Sequence, residues 1–269
     1  KQTLPAFKEF YLRSLLKPSS VNIQYSERIT DMMKNELAGP YFAALVFKID
    51  GFKHFRQYSQ KDQSVYLFAI WNIAHELLSG KFNASLAIMG QDEVSIILQF
   101  RNTELLNLLQ DYIKEIQHII KSYYKLSFSV ALGSIANSTD KLQGSYLDAL
   151  EAMKYRLFFG YGCFVLYDAI KDRQELTFKY PASLEKKLID LLKLNNTEMI
   201  PSVLDAFKKE LMAMTCDHAL TYSNQLGVSI LKHYDRFLDT LSEDTRKFLQ
   251  IVRDLSSFET LDDVIASIQ

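Results

Sequence analysis

Tyr41 to Ile49 is a near-continuous apolar run, and behind it the apolar residues fall at alternating strand-like and helix-like periods. Gly39-Pro40 punctuates its start, so the run predicts a strand. Asp62–Ser79 reads as a helix with Val65, Phe68, Ile73 and Leu77 inward. Two short apolar strands follow within residues 84–100, joined by Gly90-Gln91-Asp92-Glu93 as a β-hairpin. Thr103–Tyr123 carries Leu105, Leu109, Tyr112, Ile116 and Ile119 at helical spacing. Leu126–Ile135 then reads as a strand, Leu142–Phe158 as a helix and Cys163–Tyr167 as a last strand. The order βαββαβ is the split-βαβ arrangement, an α+β fold with an antiparallel or mixed sheet and helices on one face.

The flanks carry helical periods alone. In Leu4-Pro5-Ala6-Phe7-Lys8-Glu9-Phe10-Tyr11-Leu12-Arg13-Ser14-Leu15 the spacing predicts an amphipathic helix with a Leu4/Phe7/Tyr11/Leu15 seam. Lys17-Pro18-Ser19-Ser20 reads as a linker, and Ser26–Leu37 as a short helix with Ile29, Met32 and Met33. From Pro181 to Gln269 the groups are Leu184/Leu188/Leu191, Leu204/Phe207/Leu211, Leu220 to Leu241, Phe248/Val252/Leu255 and Leu261/Ile265. Asp217, Ser242 and Thr260 stand where N-caps are expected. Three segments result: 1–38 as N-terminal signalling and linker helices, 39–178 as the α+β domain, and 179–269 as an all-α connector.

Composition narrows the function classes. With 48% hydrophobic and 13% aromatic residues the chain has enough apolar material for filled cores rather than disorder. A net charge of −1 supplies no basic field for nucleic acid and no polybasic stretch for an anionic membrane. Cys163 and Cys216 are too few for a disulfide framework or a zinc cluster. No apolar run approaches the ~20 residues that span a bilayer. These features lead us to expect a cytoplasmic protein, or the cytoplasmic part of a membrane-anchored one. The start at Lys1, without Met and inside a helical pattern, suggests a fragment of a longer protein.

Three segments together resemble the GGDEF (diguanylate cyclase) family: the strand end Lys48-Ile49-Asp50-Gly51-Phe52-Lys53, the Gly90-Gln91-Asp92-Glu93 tip and Ser129-Val130-Ala131-Leu132-Gly133. That family places a carboxylate where Lys48 stands and two glycines before the hairpin acids, and these groups hold Mg²⁺ and GTP. Here the carboxylate is a cation and the second glycine is Gln91. A Lys ammonium beside a divalent cation replaces an attraction by a repulsion of several kcal/mol even at an effective dielectric of ~20. Asp92 and Glu93 alone are an incomplete ligand set, and the bulk of Gln91 obstructs a close approach of backbone to nucleotide. The resemblance thus implies a degenerate GGDEF-like domain that is not an enzyme, with no catalytic residue, metal or cofactor. Its vestigial nucleotide site would be Lys48, Asp50, Gly90, Gln91, Asp92, Glu93 and Lys154.

Tyr146-Leu147-Asp148-Ala149-Leu150-Glu151-Ala152-Met153-Lys154-Tyr155-Arg156 is similar to a helix of the cyclases, and more so to one of the YesN-like AraC-type transcription regulators of Gram-positive bacteria. Leu4-Pro5 with Phe10–Leu16, Tyr180-Pro181-Ala182-Ser183-Leu184-Glu185-Lys186-Lys187-Leu188 and Phe258-Glu259-Thr260-Leu261 resemble further signposts of that group, in order. The resemblance implies a regulatory and dimerising piece between an upstream sensor, either a receiver or a membrane-anchored domain, and a C-terminal DNA-binding domain absent from this chain. It implies a homodimer that touches DNA only through that domain, with any small-molecule ligand unknown. Alternatives are a sensor that binds a nucleotide or cyclic dinucleotide without turnover, and an active diguanylate cyclase.

Plainer roles compete at several positions. Lys48 suits an ion pair with Asp50, Asp92 or Glu93, while Lys154 and Arg156 suit a solvated helix face or, as in cyclases, phosphates. His54, His75, His118, His218 and His233 lack ligand spacing. Tyr155, Phe158, Phe159, Tyr161 and Phe164 read as core. Ser223 to Arg236, with Gly227-Val228-Ser229, mimics a helix-turn-helix, yet Asp217, Asp235, Asp239, Glu243 and Asp244 surround it where DNA phosphates would need cations.

Overall fold

The computed structural model describes residues 4–17, 37, 39–172, 178–194, 196–235 and 258–268. It divides into two compact units, the first from residues up to 154 with 161–170, the second from 155–160 with residues from 171 onward.

The first unit contains α1 (Leu4–Leu16), β1 (Tyr41–Ile49), α2 (Gln60–Leu78), β2 (Asn83–Ile88), β3 (Glu93–Phe100), α3 (Leu106–Tyr124), β4 (Phe128–Leu132), α4 (Leu142–Lys154) and β5 (Phe164–Leu166). Its sheet has the order β2-β3-β1-β4-β5. All ladders are antiparallel except β4 with β5. The fold is α+β, as the sequence predicts.

β1 is the middle strand of the five, and both of its sides are apolar up to Lys48. Its odd positions Ala43, Leu45, Phe47 and Ile49 join Leu67, Ile70, Ala74 and Leu78 of α2 and Leu109, Ile113, Ile116 and Ile120 of α3 in one core. Its even positions point to the other face, where α4 packs on β1 and β4 and α1 packs on β2 and α4. Helices therefore cover both faces, not one. A strand with no polar stripe demands that arrangement, since an uncovered face would leave Phe42, Ala44 and Val46 in water.

Two helix faces also differ from the spacing-based reading. On α2 the inward row is Gln63, Leu67, Ile70, Ala74 and Leu78, whereas Val65 and Phe68 are 52% and 57% exposed. Ala69 and Ala74 let the helix approach its neighbours closely, and the buried Gln63 amide donates to the Tyr58 carbonyl at 2.8 Å. On α3, Ile113 and Ile120 hold the centre while Tyr112 and Ile119 are half-buried. On α1 the buried residues are Tyr11, Leu12 and Leu16, with Leu15 half-buried. The Lys17–Ser20 linker beyond Lys17, and the short helix expected at Ser26–Leu37 apart from buried Leu37, lie outside the described residues.

The helix expected over Leu142–Phe158 stops at Lys154, and a separate turn, Arg156–Phe159, belongs to the second unit. β4 is also shorter than expected, and beyond Leu132 the pairing with β1 continues only through the Gly133 N–H, which donates to the Ala44 carbonyl at 3.0 Å, and an isolated Phe42–Ala136 bridge. Ser145 of α4 closes this end of the sheet. Its hydroxyl accepts from the Ala44 N–H at 2.9 Å and donates to the Ser134 carbonyl at 2.6 Å.

The second unit holds α5 (Ala182–Lys193), α6 (Ile200–Met212), α7 (Cys216–Asp235) and α8 (Leu261–Ile268). Leu188, Leu204, Phe207, Leu211, Leu226, Ile230, Leu261 and Ile265 are buried. Tyr180 meets Phe207 and Tyr222 edge-on at 6.2 and 5.2 Å between centroids. The α7 cap is Thr215, whose hydroxyl accepts from the His218 N–H at 3.3 Å, so Asp217 sits inside the first turn. Thr260 caps α8 by accepting from the Asp263 N–H at 3.1 Å. Ser242 and the 236–257 stretch lie outside the described residues. Helix α7 runs unbroken through Gly227-Val228-Ser229, so those residues form no turn. Of the aromatic group, Tyr155 and Phe158 are buried, but Phe159 and Tyr161 are exposed.

Gly133 offers a direct check of the α4-to-sheet contact. A Cβ there would lie 1.7 Å from the Ser145 carbonyl oxygen, so Gly133→Ala must push α4 off the sheet. We expect a loss of about 2–3 kcal/mol, measured as a lower urea midpoint; Gly80→Ala, which meets nothing within 4 Å, should be nearly neutral.

Candidate functional site

The register of three strands sets the chemistry at the hairpin end. Lys48 lies opposite Glu93 on β3 and opposite Ser129 on β4. All three therefore emerge on the α4 face. Asp50 follows directly after β1, and the Asp92 carbonyl accepts from the Ile49 N–H at 2.9 Å, which draws the hairpin tip against the strand end.

Each acid is engaged by another part of the chain. Asp50 accepts from the Ser127 hydroxyl at 2.5 Å, the Ser129 hydroxyl at 2.7 Å and the Gly162 N–H at 2.9 Å. Glu93 accepts from the Tyr146 hydroxyl at 2.7 Å and from the Ser95 hydroxyl at 3.2 Å. Burial, and then the adjacent Glu93 carboxylate, raise the Tyr146 hydroxyl well above the usual tyrosine range. It remains a donor across physiological pH. Asp92 faces the Lys48 ammonium, Oδ2 to Nζ, at 3.7 Å. Of the three partners open to Lys48, the ion pair is with Asp92.

A carboxylate whose lone pairs already accept from hydroxyls and amides has little left for a cation. Mg²⁺ needs oxygen ligands in near-octahedral array at about 2.0–2.1 Å. Lys48 stands among these acids as a fixed positive charge. Among the described residues no group of three or more His, Cys, Asp or Glu is placed to hold a metal ion.

Gly90 and Gln91 take a different place. Together with Gln60, Gln63, Ser64 and Leu67 of α2 they line a groove of about 290 Å³. Gly90 is not in a left-handed conformation, and a Cβ on it would meet only ordinary contacts at 3.7 Å or more. Lys154 is not in the cluster. It pairs with Glu151 at 2.8 Å, two turns of α4 beyond Tyr146, about 12 Å along the axis. Arg156 is buried and pairs with Glu259 at 3.0 Å within the second unit, not on a solvated face. Sequence spacing does bring Lys48, Asp50, Asp92 and Glu93 together. It does not reveal Ser127, Ser129, Tyr146 or Gly162 as their partners; the β1–β4 register could have signalled the two serines alone.

A family model described as a GGDEF-like domain matches residues 31–155, the greater part of the first unit. The uncharacterized HTH-type transcriptional regulator YtdP of Bacillus subtilis (strain 168) is 22% identical over 228 residues, 81% of this chain and 29% of YtdP. The chain thus spans less than a third of the length of that relative. Among the described residues no helix is long and apolar enough to cross a membrane.

Asp50 and Asp92 should behave differently when truncated. Asp50→Ala leaves two hydroxyls and the Gly162 N–H without their acceptor, and should cost about 2–3 kcal/mol in chemical unfolding. Asp92→Ala removes one partly exposed ion pair and should cost under about 1 kcal/mol.

Proposed function

We propose that this chain is the signal-coupling part of an AraC-type DNA-binding transcription regulator, whose GGDEF-like domain turns over no nucleotide. The observation that supports this reading is the Lys48–Asp92 pair, which sets a cation where the family chemistry requires a metal-holding carboxylate. Asp50 and Glu93 support the same reading, being already engaged as hydrogen-bond acceptors within the domain. The relation to YtdP supports the regulator half of the reading. DNA contact would be made by a further domain, the protein would act as a homodimer, and an upstream sensor would supply the signal. Helix α7 fits that division of labour, being continuous where a helix-turn-helix would bend.

A second reading rests on the groove at Gly90 and Gln91. Its lining is uncharged, which suits a neutral hydrogen-bonding group of a ligand bound without turnover. Thermal shift with GTP or a cyclic dinucleotide separates the two, since a ligand at a hundred times its Kd adds about 2.7 kcal/mol of stability.

The primary test is turnover. Purified protein with GTP and Mg²⁺ or Mn²⁺ should form no cyclic dinucleotide, and Lys48→Asp alone should not restore it, because Gln91 and the committed acids remain. Product above a no-protein control would overturn the proposal.

A further inference from the structure

A second cavity, at the far edge of the same sheet, has the form of a strand-wide slot. It measures about 490 Å³ and is lined by Lys8, Glu9 and Leu12 of α1, Trp71 and His75 of α2, and Asn83, Ala84, Ser85 and Leu86 of β2. Side chains of a strand alternate between its two faces, so four consecutive β2 residues line one cavity only if their shared backbone edge is its floor. The floor is therefore the outer edge of β2, where the ladder ends among the described residues. One wall is α1, the other is α2, whose Trp71 and His75 rings stand 4.6 Å apart.

We propose that this slot binds an extended peptide segment of a partner protein, added as a sixth strand on β2. Three observations select that occupant. The volume is that of a small-ligand or short-peptide site, and the four floor residues run for about 13 Å. A second copy seated on so short an edge would bury far less than the 1,200–2,000 Å² of a stable dimer. Recession of β2 between two helices acts in the same direction. A lone strand enters at the ~4.8 Å ladder spacing, whereas two recessed edges would drive the helices of both copies together, inside their 8–10 Å packing distance.

Charge and side-chain pattern then describe the segment. Lys8 and Glu9 put one cation and one anion on the α1 wall, and β2 itself, Asn83-Ala84-Ser85-Leu86-Ala87-Ile88, carries no charge and no proline. Edge strands that avoid pairing carry such residues; this one does not. Leu86 lies opposite Ile96, on the α2 side, and Ser85 opposite Ile97, on the α1 side. The matching peptide is net neutral, with an apolar residue toward Trp71 and Leu86 and small polar residues toward Ser85 and α1. Main-chain hydrogen bonds would supply affinity and the Trp71 wall selectivity, the usual division in strand addition.

Trp71 is the sole tryptophan of the chain, so its emission reports on the slot. The probes are Ac-Thr-Ser-X-Ser-Thr-NH2 peptides with X as Leu, Tyr, Lys or Asp, titrated into the full chain up to about 1 mM. We expect a saturable emission change, tightest for Leu or Tyr. Methylating alternate peptide nitrogens, in either phase, should leave one isomer at least tenfold weaker, because it has lost the N–H groups that face β2. Three results would each overturn the proposal: no saturable change with any of the four peptides, a change indifferent to N-methylation in both phases, or sedimentation as a dimer that the peptides disperse. The last would assign the slot to a second copy.

Discussion

Position 48 lies at the end of the central strand, opposite Glu93 on one side and Ser129 on the other, and much of the polar chemistry of the domain is organised around it. The Lys48 ammonium draws in Asp92 and with it the hairpin tip. A carboxylate at that position would be the fourth acid at one strand end, beside Asp50, Asp92 and Glu93. With lysine, the Asp92 charge is offset from within the chain. The pair is partly exposed and worth little energy by itself; its importance lies in the sign of the field it sets.

Neighbouring bonds complete what Lys48 begins. Tyr146 spans from α4 to Glu93, while Asp50 gathers β4, the residue before it and the Gly162 N–H. Buried or half-buried acceptors of this kind cost several kcal/mol to leave unsatisfied. Asp50 and Glu93 thus act as fasteners between elements of the sheet and α4.

The sequence showed most of the architecture because strands and amphipathic helices announce themselves by period. β1, the hairpin and α3 fall within a residue or three of where alternation and helical spacing put them. Faces were harder to read. Val65 and Phe68 look like core by size, but small Ala69 and Ala74 decide which side of α2 approaches its neighbours. The second layer of helices follows from β1 having no polar side, a consequence that the βαββαβ order alone does not express. At the site, Lys48, Asp50, Asp92 and Glu93 were legible from local motifs. Their partners Ser127, Ser129 and Tyr146 were not, since they come from the residue before β4, from β4 and from α4, which only the folded arrangement brings to them. Arg156 illustrates the same limit, its partner Glu259 lying far along the chain.

We propose that the acids of the hairpin end, engaged by Lys48 and by hydroxyls of the chain, bind no divalent metal ion. Manganese titration read by electron paramagnetic resonance tests it without reference to any reaction. The six-line signal of free Mn²⁺ should keep its full amplitude when the protein is added at physiological salt. A saturable loss of that signal, abolished by Asp92→Ala or Glu93→Gln, would contradict it.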